Sequence, residues 1–352
     1  MVLVSKLFPL ILKEIKLTSK RKALLFMIFG LPLFFGLVFT TYQEAIPTDT
    51  PIAVVIDDKN LSQAQVNAIM AIARTFSSPN LEPSVDSAVR KLQREEYYVV
   101  IEIKNYRDFT NASYVVYYDD SMTPVAAISE NLLEILRIRM GATQIEARPL
   151  NRHASLPEFF FPGVLVMLSV LVGMELIPST AIEERGVLPR LKLYSSLPLN
   201  FTAKVLVGEG IILVQAGMAK LVYDYAGSDV GLSWWVLLVL LLTTLYLSLI
   251  GLCFVFAFRF EGHSKSLLQI TAGFLALMSG LLYPAGFFPS AFQRLDHLLP
   301  TYYSGVLLRA FMFRKVNPGL FWDYLGYLVL TIVLLALINV LLYRRVKEWS
   351  TL

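Results

Sequence analysis

The chain has 352 residues, 56% of them hydrophobic and 16% charged, with a mean hydropathy of +0.59; this excludes a soluble protein with one large core and points to a polytopic membrane protein. The net charge of +4 hides an asymmetry, because residues 44–158 carry 11 Lys/Arg against 16 Asp/Glu and the remainder carries a basic excess. The acidic part reads as a soluble domain, the basic excess lies beside apolar runs where anionic lipid attracts it, and no basic stripe with interleaved aromatics suggests nucleic acid.

Residues 1–22 carry Lys6, Lys13, Lys16, Lys20, Arg21 and Lys22, with Leu3, Leu7, Leu10, Ile11 and Ile15 at helical spacing. This pattern predicts an amphipathic helix lying on the membrane surface. Ala23 to Thr40 follows as a first span within residues 23–42. The apolar run is too long for a signal peptide, and no A-x-A site follows it.

Residues 43–155 have soluble patterning. Ile52–Ile56 reads as a buried strand, Ser62–Phe76 as a helix, and Ser84 as the cap of a second helix running to about Glu96. Tyr97–Ile103 and Ser113–Tyr118 read as strands and Pro124–Met140 as a third helix. The order β-α-α-β-β-α suggests a small α/β layer domain. The Asp57-Asp58 and Asp119-Asp120 pairs each follow a strand, and strand-end turns are their simplest reading. Asn111-Ala112-Ser113 is a glycosylation sequon and a weak pointer to an outside location.

Five further apolar runs follow within residues 156–352: Phe159–Ile182, Val205–Tyr223, Trp234–Phe258, Ser266–Tyr283 and Phe321–Tyr343. With the first run they predict six spanning helices, each near the ~20 residues a bilayer needs. Lys and Arg near the spans put 15 on the side of both termini and only Arg294, Arg309, Arg314 and Lys315 on the other. Both termini are therefore expected in the cytosol, in a plasma-membrane, multi-pass protein, with the α/β domain outside. The four exceptions all fall between spans five and six, so that loop is not a plain solvated connection.

The charged stretch Glu183 to Asn200 (EERGVLPRLKLYSSLPLN) organises this half. Glu183, Glu184, Arg185, Arg190 and Lys192 are too costly for lipid. Leu188, Leu191, Tyr194 and Leu197 recur at three-residue steps, which predicts a short amphipathic helix at the membrane face. Gly186 would let the chain turn and Pro198 would stop the helix. The stretch resembles the E-R-x-x-G-T-L…L…S-P segment of ABC-2 type transporter permeases: Glu183-Glu184-Arg185-Gly186-Val187-Leu188, then Leu193, Ser196 and Pro198. It departs from that pattern in Val187, which stands for Thr, and in Leu197 before Pro198. The resemblance implies that this segment, 183–200, faces the cytosol and docks onto a separate ATPase subunit, with Glu183, Glu184, Arg185, Gly186 and Leu188 as the coupling residues.

A second likeness lies in Ser279-Gly280-Leu281-Leu282-Tyr283-Pro284, Phe287-Phe288-Pro289, Leu299-Pro300-Thr301-Tyr302 and Leu308-Arg309. It is similar to the family's S-G…P, L-x-P-L-T-Y and L-R run, which implies short re-entrant helices over residues 284–309 closing the outer end of a pathway. The physics agrees, because Pro284, Gly286 and Pro289 break the fifth helix, and broken backbone at membrane depth must be covered by protein or line a cavity. Phe287, Phe288, Phe292, Tyr302 and Tyr303 are candidates to plug a pore, against the plainer reading of an interfacial aromatic belt.

Glu175 and Glu209 lie within spans and are pathway candidates. Glu209 has an alternative reading as a helix-end contact to Lys204, and Glu175 as a partner of a headgroup, substrate or neighbouring helix. His153, His263 and His297 are far apart and Cys253 stands alone, so neither a metal set nor an internal disulfide is expected. No G-x-x-x-x-G-K-[ST] is present, so ATP and its Mg would bind a partner and no cofactor is expected on this chain. The resemblance thus implies a non-enzymatic permease subunit of an exporter, working with an ABC-type ATP-binding subunit, a second permease subunit and membrane lipid. The alternative is a membrane sensor or scaffold whose outer domain binds a ligand without transport.

Overall fold

The computed structural model describes residues 49–349 apart from 59–60, 107, 109–110, 141, 191–196 and 315. All of them belong to one compact unit, Ala45–Leu352. The expected surface helix 1–22 and first span 23–42 lie outside the described residues.

The acidic half folds as β1 (Pro51–Ile56), α1 (Gln63–Ala73), β2 (Ser78–Glu82), α2 (Val85–Gln93), β3 (Val99–Lys104), β4 (Ser113–Asp119), α3 (Thr123–Met140) and β5 (Gln144–Leu150). The sheet order is β2-β1-β3-β4-β5, parallel except for the β3–β4 pair. Two strands absent from the sequence reading, β2 and β5, are the sheet's two edges. Each contains a proline and is largely exposed, so neither shows the apolar run or alternation that marks a strand.

The central strands are sided by their two-residue period. Ile52, Val54, Val99, Ile101, Ile103, Tyr114 and Val116 bury one face with Ile69, Ala73, Leu132 and Leu136 of α1 and α3. Ala53, Val55, Val100, Val115 and Tyr117 bury the other with Ala88 and Leu92 of α2. Ser62 closes α1 with a capping box through Gln65, and Ser84 accepts from the backbone N–H of Ser87 to cap α2.

The apolar half begins with α4 (Leu156–Val170), a π-helical turn (Leu171–Leu176) and α5 (Ile177–Glu183). With the 3₁₀ turn Glu184–Val187 these form a continuous 35-residue helix, Leu156–Arg190. Pro178 has no N–H to donate to the preceding turn, which accounts for the π-helical turn just before it. Gly186 therefore sits within a helical continuation and not at a chain reversal. Pro198 lies in the first turn of α6 (Leu197–Tyr225), where a missing N–H costs nothing; whether it also ends a helix turns on residues 191–196, outside the described ones. Leu191 and Tyr194 of the expected amphipathic helix lie outside the described residues.

The remaining helices are α7 (Trp234–Ala257), α8 (His263–Met278), α9 (Ser290–Asp296), α10 (Pro300–Phe313) and α11 (Trp322–Trp349). Among the described residues four helices are long and apolar enough to cross a membrane: 156–190, 198–225, 234–257 and 318–345. The expected fifth span differs. α8 has only 16 residues and ends at Met278, five residues before the predicted Tyr283, because Gly280 turns the chain with φ +62°.

α7 is the central post. It crosses the 156–190 helix at Gly173 and Gly251, where a Cβ on Gly173 would lie 2.7 Å from Leu247 Cβ. Hydroxyls bridge the same helices: Thr244 Oγ1 donates to Ser169 Oγ at 3.1 Å, and Thr243 Oγ1 to Ser304 Oγ of α10 at 2.8 Å. Ser304 Oγ also lies 3.1 Å from the Tyr246 hydroxyl. Small residues and hydroxyls let apolar helices approach closely where burial of apolar surface supplies little preference.

Candidate functional site

Three groups of residues singled out by the sequence lie in different parts of this scaffold. The first is the far end of the 156–190 helix. Glu183, Arg185 and Gly186 are exposed, and Leu188 is half-buried against the apolar cluster of Phe201, Val205, Phe256 and Phe260. Glu184 faces inward: it pairs with Lys204 Nζ at 2.7 Å and accepts from Asn200 Nδ2 at 3.4 Å. The segment is thus pinned to α6 by Glu184 and Leu188, leaving Glu183 and Arg185 displayed.

The second group is the two carboxylates of the apolar helices. Glu175 sits in the π-helical turn, where its oxygens meet Lys265 Nζ at 3.2 Å and Gln269 Nε2 at 3.3 Å, both from α8. Glu175 thus meets the neighbouring helix α8. Glu209 does not contact Lys204, which is taken by Glu184, and neither of its buried carboxylate oxygens has a hydrogen-bond partner among the described residues.

The third group is the helix break after α8. Ser279 Oγ bonds the carbonyl of Leu275 and the hydroxyl of Thr301, tying the break to α10. Pro284, Gly286, Phe287 and Phe288 are buried, as is Tyr302, and Pro289 is half-buried. Phe287 packs on Tyr283 at 5.2 Å and on Tyr98 of β3's approach at 5.6 Å, in a cluster with Met122, Val125 and Phe159. The Gly286 N–H donates to the Tyr98 hydroxyl at 3.0 Å, and a Cβ at Gly286 would collide with the Tyr98 ring. Glycine is required there by close approach, not by φ.

The sequence reading missed what α10 does with its arginines. Arg309 and Arg314 are fully buried, and their charges are met by the α/β domain. Arg309 makes a bidentate pair with Glu95, Nε–Oε1 2.8 Å and Nη2–Oε2 2.7 Å, and its Nη1 donates to the Gly280 carbonyl at 3.2 Å. Arg314 reaches Glu95 Oε1 at 2.7 Å, Asp119 Oδ2 at 2.5 Å and the Gln93 carbonyl at 2.7 Å. Burial pushes the Glu95 carboxyl up, but the two guanidiniums outweigh it and hold it down at about 2. Asp119, read as one of a strand-end pair, is completed by the Ser121 N–H and hydroxyl and by Asn151 Nδ2.

The sequence did carry a signal for this cluster. Arg309 and Arg314 were two of the four basic residues on the wrong side of the charge rule. Their partners were not legible, since Glu95 lies 214 residues from Arg309.

The family model described as ABC-2 family transporter protein matches residues 22–341, nearly the whole chain. No curated protein matches it. The long apolar helices, the break after α8 and the family match agree, and the chain belongs to the ABC-2 family of transporter proteins, a membrane permease component of ABC transporters.

Proposed function

We propose that the chain is the permease subunit of an ATP-driven exporter with six spans, both termini cytosolic and the α/β domain outside the cytoplasm. The observation that carries this reading is the 35-residue helix 156–190. At 1.5 Å per residue it runs about 50 Å, well over the ~30 Å of a bilayer's hydrocarbon core. The α/β sheet ends at Leu150, shortly before its first turn, and Glu183 and Arg185 are exposed within about two turns of its far end. A membrane that the helix crosses therefore separates the domain from the charged segment. The basic excess of 183–204 favours the cytosol for that segment and the outside for the domain.

In this reading the displayed Glu183 and Arg185 engage a separate ATP-binding subunit, which binds ATP and Mg, while Glu184 and Leu188 hold the segment on α6. A second permease subunit supplies the other wall of the path, and lipid surrounds the exposed faces of α6 and α11. The buried aromatics from Phe287 to Tyr302 close the outer end, and Glu209 is the carboxylate left free for cargo or coupling.

The test is Glu183→Lys with Arg185→Glu, which leaves the Glu184–Lys204 clamp intact. Loss of co-purifying ATPase with a normally folded permease supports docking at this segment. Undiminished complex formation and ATP-driven transport would refute it.

A further inference from the structure

One short turn of the α/β domain, residues 93–98, carries much of its polar contact with the broken helix. The Gln93 carbonyl accepts from Arg314, the Glu95 carboxylate takes both guanidiniums, the Glu95 carbonyl accepts from the Tyr302 hydroxyl at 3.5 Å, and the Tyr98 hydroxyl accepts from Gly286. Arg94 turns to the other side, pairing with Asp323 at 2.5 Å and donating to the Leu320 carbonyl at 3.0 Å ahead of α11. A second seam lies at the start of β1, where Asp49 accepts from the Ser290 N–H at 2.9 Å and its carbonyl from Gln293 Nε2 at 3.0 Å.

Two features set this joint apart from an ordinary domain contact. Glu95 holds φ +61°, a left-handed backbone that glycine would adopt without strain. Glycine would lack the carboxylate that Arg309 and Arg314 need, so the strain is kept where the charge is required. The guanidiniums and carboxylates are also buried and balanced, two against two. Parting the domain from α10 would break all of these ion pairs at once, whereas moving both sides together disturbs none of them. Arg309 further links the Glu95 carboxylate to the Gly280 carbonyl, so the domain grips the very turn that ends α8.

We infer that Glu95, Arg309 and Arg314 weld the α/β domain to the hairpin of residues 279–314, so that domain and hairpin move as one body and the outer end of the path opens without their parting. Glu95 is thus a positioning residue for the closure, and the domain is a lever on it. This rests on the permease reading above.

The test uses the full chain with Cys253→Ser. Asp49→Cys and Ser290→Cys are joined by a short bis-thiosulfonate cross-linker; Ser290 contributes only its backbone N–H to the seam, and the double variant before cross-linking, which lacks the Asp49 carboxylate, is the baseline. Welded parts predict no loss of ATP-driven transport on cross-linking. A loss reversed by reductant would overturn the proposal. A second readout does not need transport: spin labels at Lys104 of the domain and Arg294 of the hairpin, in the purified chain and in its complex with the ATP-binding subunit, where nucleotide can bind. One narrow distance that nucleotide leaves unchanged, and that broadens in Glu95→Gln, supports the weld. A broad distance in the parent, a shift with nucleotide, or no change in Glu95→Gln would overturn it. A parent complex that never transports would sink the permease reading, and the label distances would still judge the joint.

Discussion

Glu95 concentrates most of the chemistry that can be assigned to a single residue in this protein. Its carboxylate is shared by two buried guanidiniums. Removing one partner from such a group leaves the others charged and dry, so Glu95→Ala is expected to cost about 3–5 kcal/mol, read as a fall in thermal unfolding temperature in detergent. Glu95→Gly should be less harmful than Glu95→Ala by roughly 1 kcal/mol, because glycine relieves the left-handed backbone that both Glu and Ala strain. Equal losses would mean that φ +61° carries no strain. The pH dependence follows from the depressed carboxyl. Its ordinary value is 4.5 and its folded value about 2, so its stabilisation is complete above 4.5 and disappears as pH falls toward 2. The stability difference between the parent chain and Glu95→Gln should therefore shrink across that window and be constant above it.

At the scale of elements, the two glycines where α7 crosses the 156–190 helix make a sharp contrast with those on α6. A Cβ at Gly173 would press on Leu247 and the Ser248 backbone, whereas Gly210 and Gly217 of α6 have nothing within 4 Å. Gly173→Ala is expected to destabilise by about 1–3 kcal/mol through overpacking, and Gly217→Ala to be neutral or slightly stabilising through helix propensity. Thermal unfolding of the two variants side by side checks this; equal effects would remove close approach as the reason for Gly173. The legibility of the elements follows the same physics. Ile52–Ile56, Tyr97–Ile103 and Ser113–Tyr118 announced themselves because they are central and buried. β2 and β5 did not, because an edge strand with a proline and two wet faces has no apolar signature. Pro198 opens α6, which the sequence did not announce, because proline ends a helix and begins one with equal ease. The charged segment and the broken helix were legible from charges and prolines set in apolar sequence. Glu184's inward turn to Lys204 and the arginine cluster were not, since both depend on contacts between distant elements.

For the whole molecule, the account joins two ends of one long helix. Beside its first turn, Tyr98, Met122 and Val125 of the α/β domain pack with Phe159 and Phe287. Toward its far end Glu183 and Arg185 stand exposed. In the proposed reading, a push on the charged end would be delivered along this helix to the hairpin that carries the buried aromatics. Glu209 offers a check on the path itself, since neither oxygen of its buried carboxylate is hydrogen-bonded among the described residues. Glu209→Gln is expected to leave assembly intact and to lower ATP-driven transport at least several-fold, roughly the 1–3 kcal/mol a buried unpaired polar group represents. Unchanged transport would return Glu209 to a merely structural role.

The most direct measurement is co-purification of the tagged chain in mild detergent with the products of its neighbouring genes, followed by an ATPase assay. The account predicts a stoichiometric P-loop partner, hydrolysis that tracks the complex, and loss of both in Glu183→Lys with Arg185→Glu. A folded permease that purifies alone, without hydrolysis, in the presence of that co-expressed partner would contradict it.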